Sequence, residues 1–325
     1  MTSFLTYLIV ALAIIGLVQI VRIFELAAKL KGDQENVITE KDNNYNALAI
    51  LIVGFAFVAF VAYSFKLWGH LLLPEAASEH GLAIEGLWNA TMGLILFVFF
   101  ITQPILFYFA YKYRGQKGTK ALYQTHNNKL ELLWTSVPAV VLTGLILYGL
   151  STWNNVMLPD TTDAQVVEVY ARQFDWTARY AGEDNTLGKA HYTLIQGANV
   201  MGVDVADPSA MDDKVVREIH LPVGKQVLLK FRSQDVIHSA FLPHFKVQMN
   251  CVPGMNTQFA FTPTKTTAQM KEELGDEGFD FVLLCNKICG AAHYNMQMKV
   301  VIDTQEDYDA WQKEQEATFQ TLASN

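Results

Sequence analysis

Four apolar runs fill most of the first 155 residues, and they limit what this chain can become. They span roughly Phe4 to Ala27, Ala47 to Trp68, Leu87 to Tyr111 and Leu132 to Trp153. Each reaches the roughly 20 residues that an α-helix needs to cross a bilayer. One such run can be a buried helix of a soluble protein; four in succession read as membrane spans. The first does not read as a secretory signal. No Lys or Arg precedes Arg22, and the run exceeds the roughly 7–15 residues of a signal's apolar core.

Charges in the short loops orient the spans, because cytoplasmic loops carry the excess of Lys and Arg. The loop after the third run holds Lys112, Arg114, Lys117, Lys120 and Lys129, with no acid before Glu131. It is expected inside. Gly69 to Gly86 has no Lys or Arg and is expected outside. The first loop carries Lys29, Lys31 and Lys41, which suits the inside, although four acids accompany them. An outer N-terminus, four spans and an outer C-terminal half satisfy all three loops. Trp68, Trp88, Trp134 and Trp153 stand at run ends, as interfacial aromatics do.

Glu131 begins the fourth span, in Leu130-Glu131-Leu132-Leu133-Trp134-Thr135. A carboxylate in the first turn of a helix is favoured by the helix dipole. An ionisable group at this depth can also open a proton path. The residues alone favour the first reading and leave the second open.

The second half differs in pattern and in charge. Up to Asn155 ten Lys and Arg face nine Asp and Glu; from Val156 on, fourteen face twenty-three. So acidic a domain argues against nucleic acid, which selects basic surfaces. It suits a basic partner steered by long-range attraction. Short runs rich in β-branched and aromatic residues include Val166 to Tyr170, Gln226 to Phe231, Gln258 to Phe261 and Lys299 to Ile302. Turn residues at Pro222-Val223-Gly224, Pro253-Gly254 and Gly275 punctuate them. The expectation is an antiparallel sandwich or barrel. Residues 182–214 form a long acidic insertion, read as a solvated excursion, with a docking surface as the sharper alternative. The tail from Thr304 reads as a helix lying on the domain.

The chemistry lies in Cys285-Asn286-Lys287-Ile288-Cys289-Gly290-Ala291-Ala292-His293-Tyr294-Asn295-Met296. Two thiols, an imidazole and a thioether fall within one short stretch. Soft sulfur with imidazole suits copper better than magnesium or calcium. A single-copper electron-transfer site uses one thiolate, two His and a weak Met. Here there is one Cys more, and two thiolates can bridge two ions. The second imidazole has to come from upstream. His238, in Asp235-Val236-Ile237-His238-Ser239, lies about fifty residues earlier. That separation is natural for strands distant in sequence and adjacent in a Greek key. A Cys285–Cys289 disulfide is the alternative on an oxidising side of a membrane, but it leaves His293 and Met296 without a role. Cys251 reads as a buried free thiol, and His244 as a surface residue near the ligand stretch.

These motifs resemble subunit II of haem–copper oxygen reductases, the cytochrome c oxidase family. The resemblance covers roughly Leu87 to Trp311. Val252-Pro253-Gly254, Leu130-Glu131 to Trp134-Thr135, and Ala171-Arg172-Gln173-Phe174-Asp175-Trp176 support it. It implies a cupredoxin-like Greek-key sandwich after a transmembrane hairpin, holding the two-copper centre called CuA. In that scheme Cys285 and Cys289 bridge both ions. His293 and the carbonyl of Lys287 complete one, and His238 and Met296 the other. The domains then read as two additional spans over 1–70, the family hairpin over 71–155, the CuA domain over 156–303 and a C-terminal helix over 304–325. The implied function is to accept electrons from cytochrome c and pass them to haem in catalytic subunit I, where oxygen reduction and proton translocation occur. The implied place is the bacterial inner membrane, with the CuA domain outside. The resemblance also puts Glu131 at the mouth of a proton path.

The chain departs from the family in three places. Lys287 stands where Glu is common and helps hold magnesium, and Asn250 stands where Asp is frequent. A divalent ion is therefore expected to be absent there, with the Lys287 ammonium supplying the positive charge. Phe174 stands where many members have a Trp proposed to receive the electron. Trp176 matches the second aromatic of the segment and reads as core more readily than as a relay. A nitric- or nitrous-oxide reductase domain, a copper-free quinol-oxidase subunit and a copper chaperone are the alternatives. The membrane hairpin with Glu131 and Trp134 disfavours nitrous-oxide reductase, the full donor set a copper-free subunit, and the four-span anchor a chaperone.

Overall fold

The computed structural model describes residues 2–30 and 38–319. The helices are α1 (Thr2–Leu30), α2 (Glu40–Trp68), α3 (Glu79–Lys112), α4 (Asn128–Met157), α5 (Thr267–Leu274) and α6 (Gln305–Glu314). The strands are β1 (Gln165–Arg172), β2 (Asp175–Tyr180), β3 (Lys214–Val216), β4 (Ile219–Pro222), β5 (Val227–Ser233), β6 (His238–Leu242), β7 (Val247–Cys251), β8 (Thr257–Phe261), β9 (Phe281–Cys285) and β10 (Gln297–Asp303).

Among the described residues three segments are long and apolar enough to cross a membrane: Glu40–Leu71, Glu79–Lys112 and Asn128–Met157. They coincide with the second, third and fourth runs. The first run lies within α1, a helix of 29 residues. Pro104 and Pro138 sit inside α3 and α4, as membrane helices tolerate.

The chain forms two units. One holds residues 1–64 and 98–124, the other 65–97 and 125–325. In the first, Phe107 packs directly on Gly54, where an added Cβ would meet the ring at 2.2 Å. Phe57 and Phe99 meet edge to face at 6.1 Å. In the second, α3 passes close to α4 at Gly86, where a Cβ would lie 3.0 Å from the Tyr148 hydroxyl.

The second unit contains a sandwich of two five-stranded sheets, ordered β3-β2-β1-β5-β8 and β4-β10-β9-β6-β7. Val167, Val169 and Ala171 alternate along β1 into the shared core, with Trp176, Phe231, Phe281 and Val300. The sandwich is mixed rather than antiparallel throughout. β1 runs parallel to β5, and β10 parallel to β4. The reason is topological: the chain crosses to the second sheet as β4 before returning as β5 beside β1, and a parallel pair requires such a crossover.

The insertion is not a solvated excursion. It folds over the outer face of β1 and β2 around Tyr170, Met201, Val203, Ala210 and Phe319. Its acids fix turns: Asp207 accepts the N–H of Lys189 at 2.9 Å, and Asp212 that of Glu183 at 2.7 Å. Asp213 is fully buried against Arg179 at 2.9 Å.

A further contact was not anticipated. The segment before α3 is stitched to the sandwich. Ala77 donates its N–H to His244 O at 2.8 Å and accepts from Thr264 at 2.9 Å. Ser78 Oγ donates to Phe245 O at 2.7 Å and accepts the N–H of Gly81 at 3.2 Å. Lys246 and Glu85 pair at 3.2 Å.

Candidate metal centre

Strand pairing delivers the donors to one end of the sandwich. His238 opens β6 and Cys285 closes β9, and the two strands are antiparallel neighbours with Ala240 opposite Cys285. The loop after β9 is closed by two main-chain bonds: Cys285 N–H to Met296 O at 3.0 Å and Asn286 N–H to Ser239 O at 2.9 Å. Within the loop Gly290 has φ +142°, and a Cβ there would meet the Phe174 ring at 2.8 Å. Only glycine suits both demands.

The Sγ atoms of Cys285 and Cys289 lie 3.8 Å apart, well beyond the roughly 2.05 Å of a disulfide. His238 Nδ1 is 3.8 Å from Cys285 Sγ, and His293 Nδ1 is 3.5 Å from Cys289 Sγ. Met296 Sδ is 3.8 Å from Cys289 Sγ, and Lys287 O is 3.2 Å from Cys285 Sγ. The ligand atoms of His238, Cys285 and Cys289 all fall within 4.8 Å of one another. Two thiols, two ring nitrogens, a thioether and a carbonyl fit a soft metal.

The protons are arranged to suit. Asp235 Oδ1 faces His238 Nε2 at 2.8 Å, which suits that nitrogen as the donor and turns Nδ1 toward Cys285 Sγ at 3.8 Å. Burial tends to raise the Asp235 carboxyl, but bonds from the Gln173 N–H and from His238 hold it below its usual range. Burial and the neighbouring Cys285 thiol push the Cys289 thiol up to about 11. A metal must therefore displace protons to bind.

The other candidates are more scattered. Trp176 is fully buried, donates its indole N–H to Met296 O at 3.4 Å and meets the His238 ring edge-on at 6.1 Å. Phe174 is half-buried in the turn between β1 and β2. The side chain of Lys287 is exposed, as is Asn250. Glu131 starts α4: it accepts the Asn127 N–H at 2.9 Å while Asn127 Oδ1 accepts that of Leu130 at 3.1 Å. Cys251 is a buried free thiol, pushed up to about 12 by burial. His244 is half-buried rather than exposed. It packs edge-on against Phe279 and Phe281, and burial lowers its pKa. Sequence reasoning assigned no role to Asp235, Gln173 or Gly290. The Asp three residues before a ligand His was the available signal.

A membrane-anchored β-sandwich with free thiols, imidazoles and a thioether at one end defines a class: a bilayer-tethered, cupredoxin-like metalloprotein domain. Comparisons narrow it. Residues 66–152 match the family model "Cytochrome C oxidase subunit II, transmembrane domain", and residues 165–304 match "Cytochrome C oxidase subunit II, periplasmic domain". The chain is 35% identical over 283 residues to the alternative cytochrome c oxidase subunit 2 of Bradyrhizobium diazoefficiens, covering 85% of this chain and 94% of that one. It is 28% identical over 274 residues to cytochrome c oxidase subunit 2 of Thermostichus vulcanus, covering 76% and 80%. Among solved structures, the periplasmic domain of subunit II of cytochrome oxidase of Bradyrhizobium japonicum aligns at 22% identity over 46% of this chain and 91% of that one. Its TM-score of 0.31 is too low to add to the assignment. The chain belongs to the cytochrome c oxidase subunit II family, and so to a membrane-anchored oxidase complex with a periplasmic domain.

Proposed function

We propose that this chain is the electron-accepting subunit of a respiratory terminal oxidase, with a CuA centre of two copper ions. The observation that carries this is the pair of free thiols 3.8 Å apart, ringed by four further donors. Cys285 and Cys289 would bridge both ions; His293 with the Lys287 carbonyl, and His238 with Met296, would complete them. The bound pair would take up and release one electron at a time, shared between two ions. The protein's own part is to hold the donors still and to keep the site dry. Trp176 packs between the core and two ligand residues and keeps them oriented.

Electrons come from a cytochrome c, whether soluble, tethered or within a neighbouring quinol-oxidising complex. They pass to haem in subunit I, where oxygen reduction is coupled to proton translocation. Phe174, half-buried and against the residue after Cys289, is the aromatic we assign to electron acceptance. Glu131 opens a proton path from the cytoplasmic side. At Lys287 no divalent ion binds, because the ammonium occupies that role. The chain crosses a bacterial inner membrane four times, α1 included, with its N-terminus and copper domain outside.

The test is to load the full chain with copper and record absorption and electron paramagnetic resonance. A mixed-valence two-copper signal is expected; a one-copper spectrum, or no uptake, overturns the reading. In the assembled oxidase, Glu131→Gln keeps the acceptor that starts α4. Turnover should nevertheless fall, and unchanged turnover removes Glu131 from the proton path. Manganese added to the oxidase should give no ordered signal beside Lys287.

A further inference from the structure

His238 and the Cys285–Met296 loop belong to segments far apart in sequence, yet a third segment touches both. The turn between β1 and β2 lies against the site. Its Gln173 donates its main-chain N–H to Asp235 Oδ2 at 2.7 Å. The other oxygen of that carboxylate holds His238 Nε2 at 2.8 Å and accepts the Val236 N–H at 2.7 Å. The Gln173 carboxamide reaches the other way and donates to the carbonyl of Cys289. Just before it, Ala171 O accepts the N–H of Gln234 at 2.9 Å. Just after it, Phe174 packs on Gly290.

We infer that Gln173 is a positioning residue that locks the imidazole of His238 and the Cys289 loop into one frame before any metal arrives. A carbonyl accepts only from a donor, so the carboxamide must present its NH2 to Cys289. The same residue fixes Asp235, and Asp235 fixes the ring plane and the proton of His238. Without the Gln173 side chain, the Cys289 carbonyl loses its partner and the loop gains freedom relative to β6. The spacing of Cys289 from His238 is then set by the metal instead of by the protein. In the loaded protein this changes how the donors share charge, hence the potential and the hyperfine pattern. That consequence rests on the copper reading given above; the brace itself does not.

The experiment uses the full chain in detergent, first without metal. Gln173→Ala and Gln173→Glu are compared with wild type, together with Gln173→Lys, which restores a donor. Glu matches the shape of Gln, but its ionised carboxylate cannot donate. The expected result is faster hydrogen exchange at the Asn286 and His293 amides in the Ala and Glu variants. The increase should be roughly 3- to 10-fold, as one lost hydrogen bond implies, with partial recovery in the Lys variant. After copper loading, the Ala and Glu variants should keep the metal stoichiometry of wild type and shift both the potential and the hyperfine splitting. Exchange and spectra indistinguishable from wild type in the Glu variant overturn the proposal. If wild type takes up no copper, the copper reading fails, and the metal-free exchange still decides the brace.

Discussion

Arg179 on β2 and Asp213 at the end of the insertion meet at 2.9 Å, with neither side chain exposed to solvent. Arg179 also donates to Glu168 at 2.7 Å and to the carbonyl of Gly188 at 3.0 Å. Arg232 closes the group from β5. The insertion is thus fastened to the sandwich by charge as well as by its small apolar core. Replacing Arg179 with Met leaves Asp213 without a cationic partner and Glu168 with Arg232 alone, and should cost about 3–5 kcal/mol. Chemical denaturation of the full chain in detergent reads this, and a loss below about 1 kcal/mol would contradict it.

The same pair gives a pH signature. Burial pushes the Asp213 carboxyl from 3.8 up to about 6, against the pull of Arg179. A carboxyl with a higher pKa in the fold binds its proton more tightly there. Its contribution to stability is therefore present below about 4 and is lost as pH rises through about 6. Asp213→Asn removes that titration. Relative to wild type, the variant should gain on the order of 1–3 kcal/mol between pH 4 and pH 7. A gap between the two proteins that stays constant with pH rules this out.

Gly290→Ala should damage the metal loop. The new methyl would meet Phe174 at 2.8 Å on a backbone with φ +142°. Contact and backbone strain together should cost roughly 2–4 kcal/mol, and metal affinity should fall. Adding Phe174→Ala removes the ring contact but leaves the approach to Gln173 Nε2 at 2.9 Å and the strain, so the double variant should recover only in part. Full recovery would mean that neither the backbone conformation nor the Gln173 contact matters.

Metal affinity should rise with pH. With the Cys289 thiol near 11, binding releases protons across the whole neutral range. Each proton released changes the apparent affinity about tenfold per pH unit. Competition titrations with a chelator of known affinity at pH 6, 7 and 8 measure this. A flat profile would contradict a protonated Cys289 thiol.

Ser78→Ala should loosen the junction before α3. It orphans the buried carbonyl of Phe245 and the N–H of Gly81, at about 1–3 kcal/mol. Hydrogen exchange at the Gly81 amide should rise, and unchanged protection would show that the serine is dispensable.

The apolar runs foretold three of the span helices closely, because a bilayer leaves a long apolar segment little choice. The four expected strands also formed. Legibility failed where polar residues are buried. Glu168, Tyr170, Thr177 and Arg179 alternate along β1 and β2 as a wetted face would, and all four are covered. Their cover comes from a segment whose composition says solvent. The pairing of Glu168 with Arg179 and Arg232, and of Asp213 with Arg179, makes that burial tolerable, and pairing between distant residues leaves no periodic trace. At the candidate metal centre, residue type and spacing pointed to the side chains that the structure brings together. The groups that orient them were harder to read, because Gln173 reaches Cys289 across 116 residues, and Asp235 shows itself only by its place three residues before His238.

The loop from Cys285 to Met296 begins and ends on neighbouring β9 and β10, and its two end residues are bonded to each other. Five of the six candidate donors lie inside that closed circuit, and the sixth waits on a strand that exists without them. Such a loop is a cassette. Its length and ligands can be exchanged, and with them the number of metal ions and their potential, while the sandwich beneath keeps its register. Variation in redox chemistry among proteins of this architecture can then arise from a dozen residues, leaving the membrane anchor and the remainder of the chain untouched.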